Sequence, residues 1–151
     1  TESAILSDAL SSTLALAKDM LPETAAICEL RDLLELKIQE SIPDVVINGS
    51  TENRLPHTTS VSFLGVDRQA LQLALDMRGI ACSTGSACAS GSSQPSHVLQ
   101  SMRVDEAVLK GAIRLSLSRY TTADEIMQAV TIIQSAVTSL RKINTLKFGK
   151  F

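Results

Sequence analysis

Cys88 lies in the run Cys82-Ser83-Thr84-Gly85-Ser86-Ala87-Cys88-Ala89-Ser90-Gly91-Ser92-Ser93-Gln94-Pro95, which carries no charge and no aliphatic side chain larger than alanine. Such neighbours cannot bury a thiol, so the run predicts a solvent-reached loop carrying a candidate sulfur nucleophile. A small residue in a Ser/Gly linker is the other reading of the same residues. Cys82 follows Ile80-Ala81, which reads as a minimal strand, and Cys28 adjoins Ile27 on a helical stripe; both suit small buried hydrophobes. Cys82, Cys88 and His97 can also be written as C-x5-C-x8-H, but this spacing matches no compact zinc module and a fourth ligand is missing. His97 and His57 read as solvated helix-end and loop residues.

Arg114 stands in Ile113-Arg114-Leu115-Ser116-Leu117, an alternation of apolar and polar residues with the period of a half-buried strand. With the aliphatic residues turned to a core, Arg114 and Ser116 share the opposite face. A mid-strand arginine beside a hydroxyl suits a bidentate grip on a carboxylate. An ordinary solvated strand residue is the alternative. No Ser/His/Asp or Cys/His arrangement is supported by spacing, and no Gly-rich phosphate loop joins a strand to a helix.

The elements that must position these residues follow from periodicity and punctuation. A helix is predicted over 4–20 and a second over about 23–41. The second has Ala26, Ile27, Leu30, Leu33, Leu34 and Ile38 on one stripe, and Glu29, Arg31, Asp32, Glu35 and Glu40 largely off it. Val45-Val46-Ile47 and Thr58 to Leu64 read as strands. Asp67 is placed to cap a helix through Arg78, with a broad apolar face that includes Leu71, Leu73, Leu75 and Met77, stopped by Gly79. Short helices are expected from Ser96 to Met102 and from Asp105 to Lys110, and a strand over 112–118. A capping box at Thr122-Ala123-Asp124-Glu125 starts a helix to about Arg141. This order implies an α+β layer structure, a small sheet covered by helices on one face. The connection between the strands at 45–48 and 58–64 is too short for a parallel crossover.

The bulk properties bound the function class. The chain has 151 residues, 44% of them hydrophobic, enough for one globular domain with a core. Fourteen basic against sixteen acidic residues, net charge -2, leave no electrostatic footprint for nucleic acid or an anionic membrane. No apolar stretch approaches the roughly 20 residues of a membrane span, and residues 1–20 lack the pattern of a signal peptide. A cytoplasmic location, or an organellar stroma or matrix, is expected. Three cysteines at irregular spacing argue against a disulfide framework. The chain starts at Thr1 with a helical pattern and no methionine, so the expectation is the downstream part of something longer.

Several stretches in order resemble one family. Arg54-Leu55-Pro56-His57-Thr58 with Val61-Ser62-Phe63, Gly79-Ile80, Ser83-Thr84-Gly85-Ser86-Ala87-Cys88 with Pro95-Ser96-His97-Val98-Leu99, Ile113-Arg114-Leu115-Ser116-Leu117 and Thr121-Thr122-Ala123-Asp124-Glu125-Ile126 are similar to the C-terminal part of pyridoxal-phosphate-dependent cysteine desulfurases of the NifS/IscS type. The resemblance covers residues 1 to about 141, weakly over the first 20. It departs at His57, where the family usually has asparagine, and at Ser118, where glycine is common. Also missing are the cofactor-binding lysine motif, the stacking histidine and the aspartate for the pyridine nitrogen, all of which the family carries upstream.

The resemblance implies the small C-terminal domain of a fold-type-I pyridoxal phosphate enzyme. Residues 1–20 would end the large domain, 21–142 would form the small domain with the cysteine loop at 83–94, and 143–151 would be a tail. It implies that L-cysteine becomes L-alanine while its sulfur passes to Cys88 as a persulfide, and that Arg114 binds the substrate carboxylate. It further implies that Thr1 reaches the cofactor phosphate of the neighbouring subunit in a homodimer. The sulfur would go to an iron-sulfur scaffold or another acceptor protein, where Cys88 meets the nascent cluster transiently. The chain alone would be an inactive fragment. A selenocysteine lyase or cysteine sulfinate lyase fragment, or a freestanding sulfur-carrier module without catalysis, stays open beside this reading.

Overall fold

Every periodic stretch of the sequence becomes an element, with three differences that matter for the site. The computed structural model describes residues 3–19, 21–85 and 95–148. In chain order the elements are α1 (Ala4–Asp19), a 3-10 turn (Leu21–Glu23), α2 (Thr24–Ser41), β1 (Val45–Ile47), β2 (Thr58–Phe63), α3 (Arg68–Asp76), α4 (His97–Ser101), α5 (Glu106–Lys110), β3 (Ala112–Ser116) and α6 (Ala123–Phe148). Among the described residues no helix is long and apolar enough to cross a membrane.

The three strands form one antiparallel sheet in the order β1-β2-β3. Val45 pairs with Phe63 and Ile47 with Val61, so the short connection between β1 and β2 closes a hairpin. On β2 and β3 alternate residues face opposite ways. Val61, Phe63, Ile113 and Leu115 turn to one side and are buried with Leu34 and Ile38 of α2 and Ile133 and Val137 of α6. This is the core, and the α+β layer arrangement expected from the sequence is the one observed. Ser60, Ser62, Arg114 and Ser116 turn to the other side, which is rich in hydroxyls.

Local chemistry starts and stops the helices. Asp67 accepts from the backbone N–H groups of Gln69 and Ala70 at 3.0 Å each and caps α3. Thr122 and Glu125 form the capping box of α6, with Thr122 N–H donating to the Glu125 carboxylate at 2.8 Å and Glu125 N–H to the Thr122 hydroxyl at 3.3 Å.

The first difference is at the end of α3. The N–H of Ile80 donates to Leu75 C=O and that of Gly79 to Asp76 C=O, a Schellman closure with Gly79 at φ 82°. Ile80 therefore spends its amide on the helix, and the expected strand at 80–82 is absent; the segment meets the sheet only at Ser83. Leu71 and Leu75, one turn apart on α3, are buried while Leu73 and the following Met77 are exposed, a narrower face than the sequence suggests.

The second difference is Arg31, which is buried rather than lying off the stripe. Arg31, Leu34 and Ile38 share a face at helical spacing, and the guanidinium satisfies itself on the carbonyls of Leu55 and Pro56 at 3.1 and 3.2 Å and on Asp32. Beside it, Arg54 pairs with Glu35 and with the carbonyl of Thr58. The two arginines fix the approach to β2. The third difference is α6, which runs through Phe148 instead of stopping near Arg141, so the expected tail begins inside a helix. Arg141 donates to the carbonyls of Pro43, Asp44 and Leu64, and Asn144 to that of Gly65. These polar anchors replace the apolar stripe by which a packed helix is usually recognised.

Candidate active site

Arg114 sits in the middle of β3 on the hydroxyl-rich face, exposed, and its side chain has no hydrogen bond or ion pair among the described residues. It has a strand neighbour on each side, and its own N–H and C=O both bond on the outer one. Across β2 it pairs with Ser60, and on the outer edge it forms an isolated bridge with Ser83, Ser83 N–H donating to Arg114 C=O at 3.0 Å and Arg114 N–H to Ser83 C=O at 2.6 Å. Ser83, five residues before Cys88 in the sequence, is thus paired directly with Arg114.

The chain also returns to the same place. Gly85, at φ 123°, lies so close to Ser96 that a Cβ on it would stand 2.9 Å from the Ser96 Cβ. Ser83 Oγ accepts from Gly85 N–H at 3.3 Å, and Ser96 Oγ caps α4 through Leu99 N–H at 3.5 Å. Between this stem and the sheet is a pocket of about 150 Å3 bordered by Ser60, Thr84, Ser96, Leu99 and Arg114. Among the described residues nothing acidic borders it, so the guanidinium is the dominant charge and the pocket is suited to an anion.

Other expectations are placed as follows. Cys88 and Thr1 lie outside the described residues. Cys82 is half-buried against the core, and burial, helped by the charge of Asp76, pushes its thiol up to about 11. It is a protonated, weakly reactive thiol at neutral pH. Cys28 is free and half-buried but is not part of the core. His57 and His97 are exposed. No group of three or more metal-ligating side chains occurs among the described residues. Ser116 does not join Arg114 at the pocket; it borders a larger hollow of about 410 Å3 with Arg78, Glu125 and Leu117. The hydroxyl beside Arg114 belongs to Ser60 on the neighbouring strand, which strand alternation alone does not show.

Pyridoxal phosphate needs an amine for its carbonyl and an acidic partner for its ring nitrogen. Among the described residues the pocket at Arg114 is bordered by no lysine and no carboxylate, so these residues do not fit that cofactor.

Comparison with known proteins identifies the family of the chain. The model of the Aminotransferase class-V family matches residues 10–129. The chain is 42% identical over 118 residues to a protein named cysteine desulfurase from Trichormus azollae, covering 78% of this chain and 30% of that one. It is 39% identical over 122 residues to the cysteine desulfurase NifS of Azotobacter vinelandii, with 81% and 30% covered. The X-ray structure of a NifS-like protein from Rickettsia africae ESF-5 superposes with a TM-score of 0.70 at 31% identity, over 82% of this chain and 32% of that one. The chain spans about a third of the length of the curated relatives it matches. With the family model matching residues 10–129, a sheet and helices that superpose on a NifS-like fold, and an anion pocket at the root of the cysteine segment, the chain belongs to the class-V aminotransferase family.

Proposed function

We propose that this chain is the sulfur-accepting part of a cysteine desulfurase, with Cys88 as nucleophile and Arg114 as the residue that holds the carboxylate of L-cysteine. The Cys88 thiolate attacks the substrate sulfur, the substrate C–S bond breaks with its electron pair left on carbon, and a proton completes L-alanine. The sulfur remains on Cys88 as a persulfide. Pyridoxal phosphate, which the described pocket does not fit, is assigned to the remainder of the larger protein, and the chain alone is inactive in this reading.

The main support is the rung between Ser83 and Arg114, which ties the root of the cysteine segment to the strand that carries an exposed guanidinium with no partner among the described residues. A carboxylate held by Arg114 would lie beside the point where that segment starts and ends. On the resemblance alone, residues 1–20 connect to the large domain, residues 21–142 are the small domain and 143–151 its tail. Thr1 reaches the phosphate of a neighbouring subunit in a homodimer, and the persulfide passes to an iron-sulfur scaffold or other acceptor, with Cys88 meeting the cluster transiently. A reducing compartment, the cytoplasm or an organellar matrix, suits a reactive free thiol.

The test uses the full-length protein with pyridoxal phosphate. Cys88→Ser is expected to abolish sulfur transfer from L-cysteine, and Arg114→Ala to weaken substrate binding by roughly 2 to 5 kcal/mol if the pair is desolvated. Unchanged turnover in Cys88→Ser rejects the nucleophile, and a preference for L-selenocysteine or L-cysteine sulfinate in side-by-side assays reassigns the substrate.

A further inference from the structure

We propose that Ser60 is a second substrate-orienting residue, donating its hydroxyl proton to the carboxylate that Arg114 grips; this rests on the carboxylate role of Arg114 given above. Ser60 is the direct cross-strand partner of Arg114, and directly opposed residues of an antiparallel pair project from the same face with Cβ atoms about 4.5 to 5.5 Å apart. Both residues border the pocket of about 150 Å3, a space on the scale of the carboxylate end of an amino acid.

The hydroxyl is held from behind. The side-chain amide of Asn48 donates to Ser60 Oγ at 3.2 Å and to Ser62 Oγ at 2.8 Å, and the backbone N–H of Asn48 donates to Ser60 C=O at 2.8 Å. A hydroxyl that accepts in this way keeps its proton for donation, and the Ser60 proton finds no acceptor among the described residues. Ser62, the other hydroxyl on the amide, is fully buried, whereas Ser60 is half-buried and borders the pocket. Asn48 thus presents one of the two hydroxyls to a ligand.

A carboxylate has about four lone-pair sites, of which a bidentate guanidinium uses two. A third donor at a fixed angle sets the rotation of the carboxylate about the Cα–C bond, and so the direction of the Cα substituents. Among the described residues that border the pocket none is acidic, so Arg114 and Ser60 face no competing internal anion there.

Steady-state kinetics of alanine release from L-cysteine by the full-length enzyme, with cofactor loading checked by absorbance and folding by thermal melting, test the proposal. Ser60→Ala is expected to raise KM about tenfold while changing kcat less than about twofold, since the lost bond is one to a charged acceptor. Ser60→Thr keeps the hydroxyl and is expected to recover most of that loss. A normal KM in Ser60→Ala alongside a raised KM in Arg114→Ala overturns the Ser60 role and leaves the Arg114 reading standing. A normal KM in both variants overturns both. A Ser60→Ala variant whose melting temperature and kcat fall with KM, without recovery in Ser60→Thr, shows a structural role and also overturns the proposal.

Discussion

Three thiols and one guanidinium divide the chemistry of this chain by their surroundings. Cys82 is half-buried beside Asp76 and favours the neutral thiol, while Cys88 lies outside the described residues in a stretch of small side chains. With its folded-state value raised to about 11, the stabilising contribution of neutral Cys82 is complete below its ordinary value near 9 and is lost as pH rises through about 11. Cys82→Ala is therefore expected to flatten the alkaline limb of the stability profile, measured by urea unfolding between pH 8 and 11. An unchanged limb would show that Cys82 ionises in the fold as freely as in the unfolded chain. At pH 8, mass mapping after brief alkylation is expected to find Cys88 modified well before Cys82.

At the scale of elements, the closure of α3 decides what the edge of the sheet can be. Because the Ile80 amide is spent on Leu75, pairing with β3 among the described residues of this segment falls to Ser83, and Gly85 adds its contact with Ser96. Gly85→Ala is expected to destabilise the fold by about 1 to 3 kcal/mol through its positive φ and the approach to Ser96. Ser96→Gly in the same chain should return the steric part and cost a few tenths as a cap change. Strict additivity of the two changes in urea unfolding would mean that the stem contact carries no energy. The helices and strands were legible in the sequence because each carries its own period or cap: Asp67, Thr122 and Glu125 act where their types and spacing predict. What was not legible depends on partners distant in the chain. The burial of Arg31 needs the carbonyls of Leu55 and Pro56, the extension of α6 needs those of Pro43, Asp44, Leu64 and Gly65, and the Ser60 hydroxyl needs the register of β2 on β3. The pairing of Arg114 with a hydroxyl was readable as a type of chemistry, but Ser116 rather than Ser60 was the neighbour visible in one strand.

For the whole molecule, stability and site lie in the sheet and the helices packed on it, while α1 stands apart. No described residue of α1 is buried, and Ile5, Leu6, Leu10, Leu14 and Leu16 are all more than 60% exposed. A helix that buries nothing contributes little to a cooperative core. Residues 21–151 alone are thus expected to unfold in urea at the midpoint of the 151-residue chain within about 0.3 M; a clear drop would show that α1 packs in solution. The contact between Gly85 and Ser96 has a consequence for how such a protein can diverge. Gly85 and Ser96 are in contact, so residues between them can be added, removed or exchanged without changing the distance that any described element must cover. The two ends of the span are set by the domain and not by the span's own length, so changes between them leave the pairing of β2 with β3 in register.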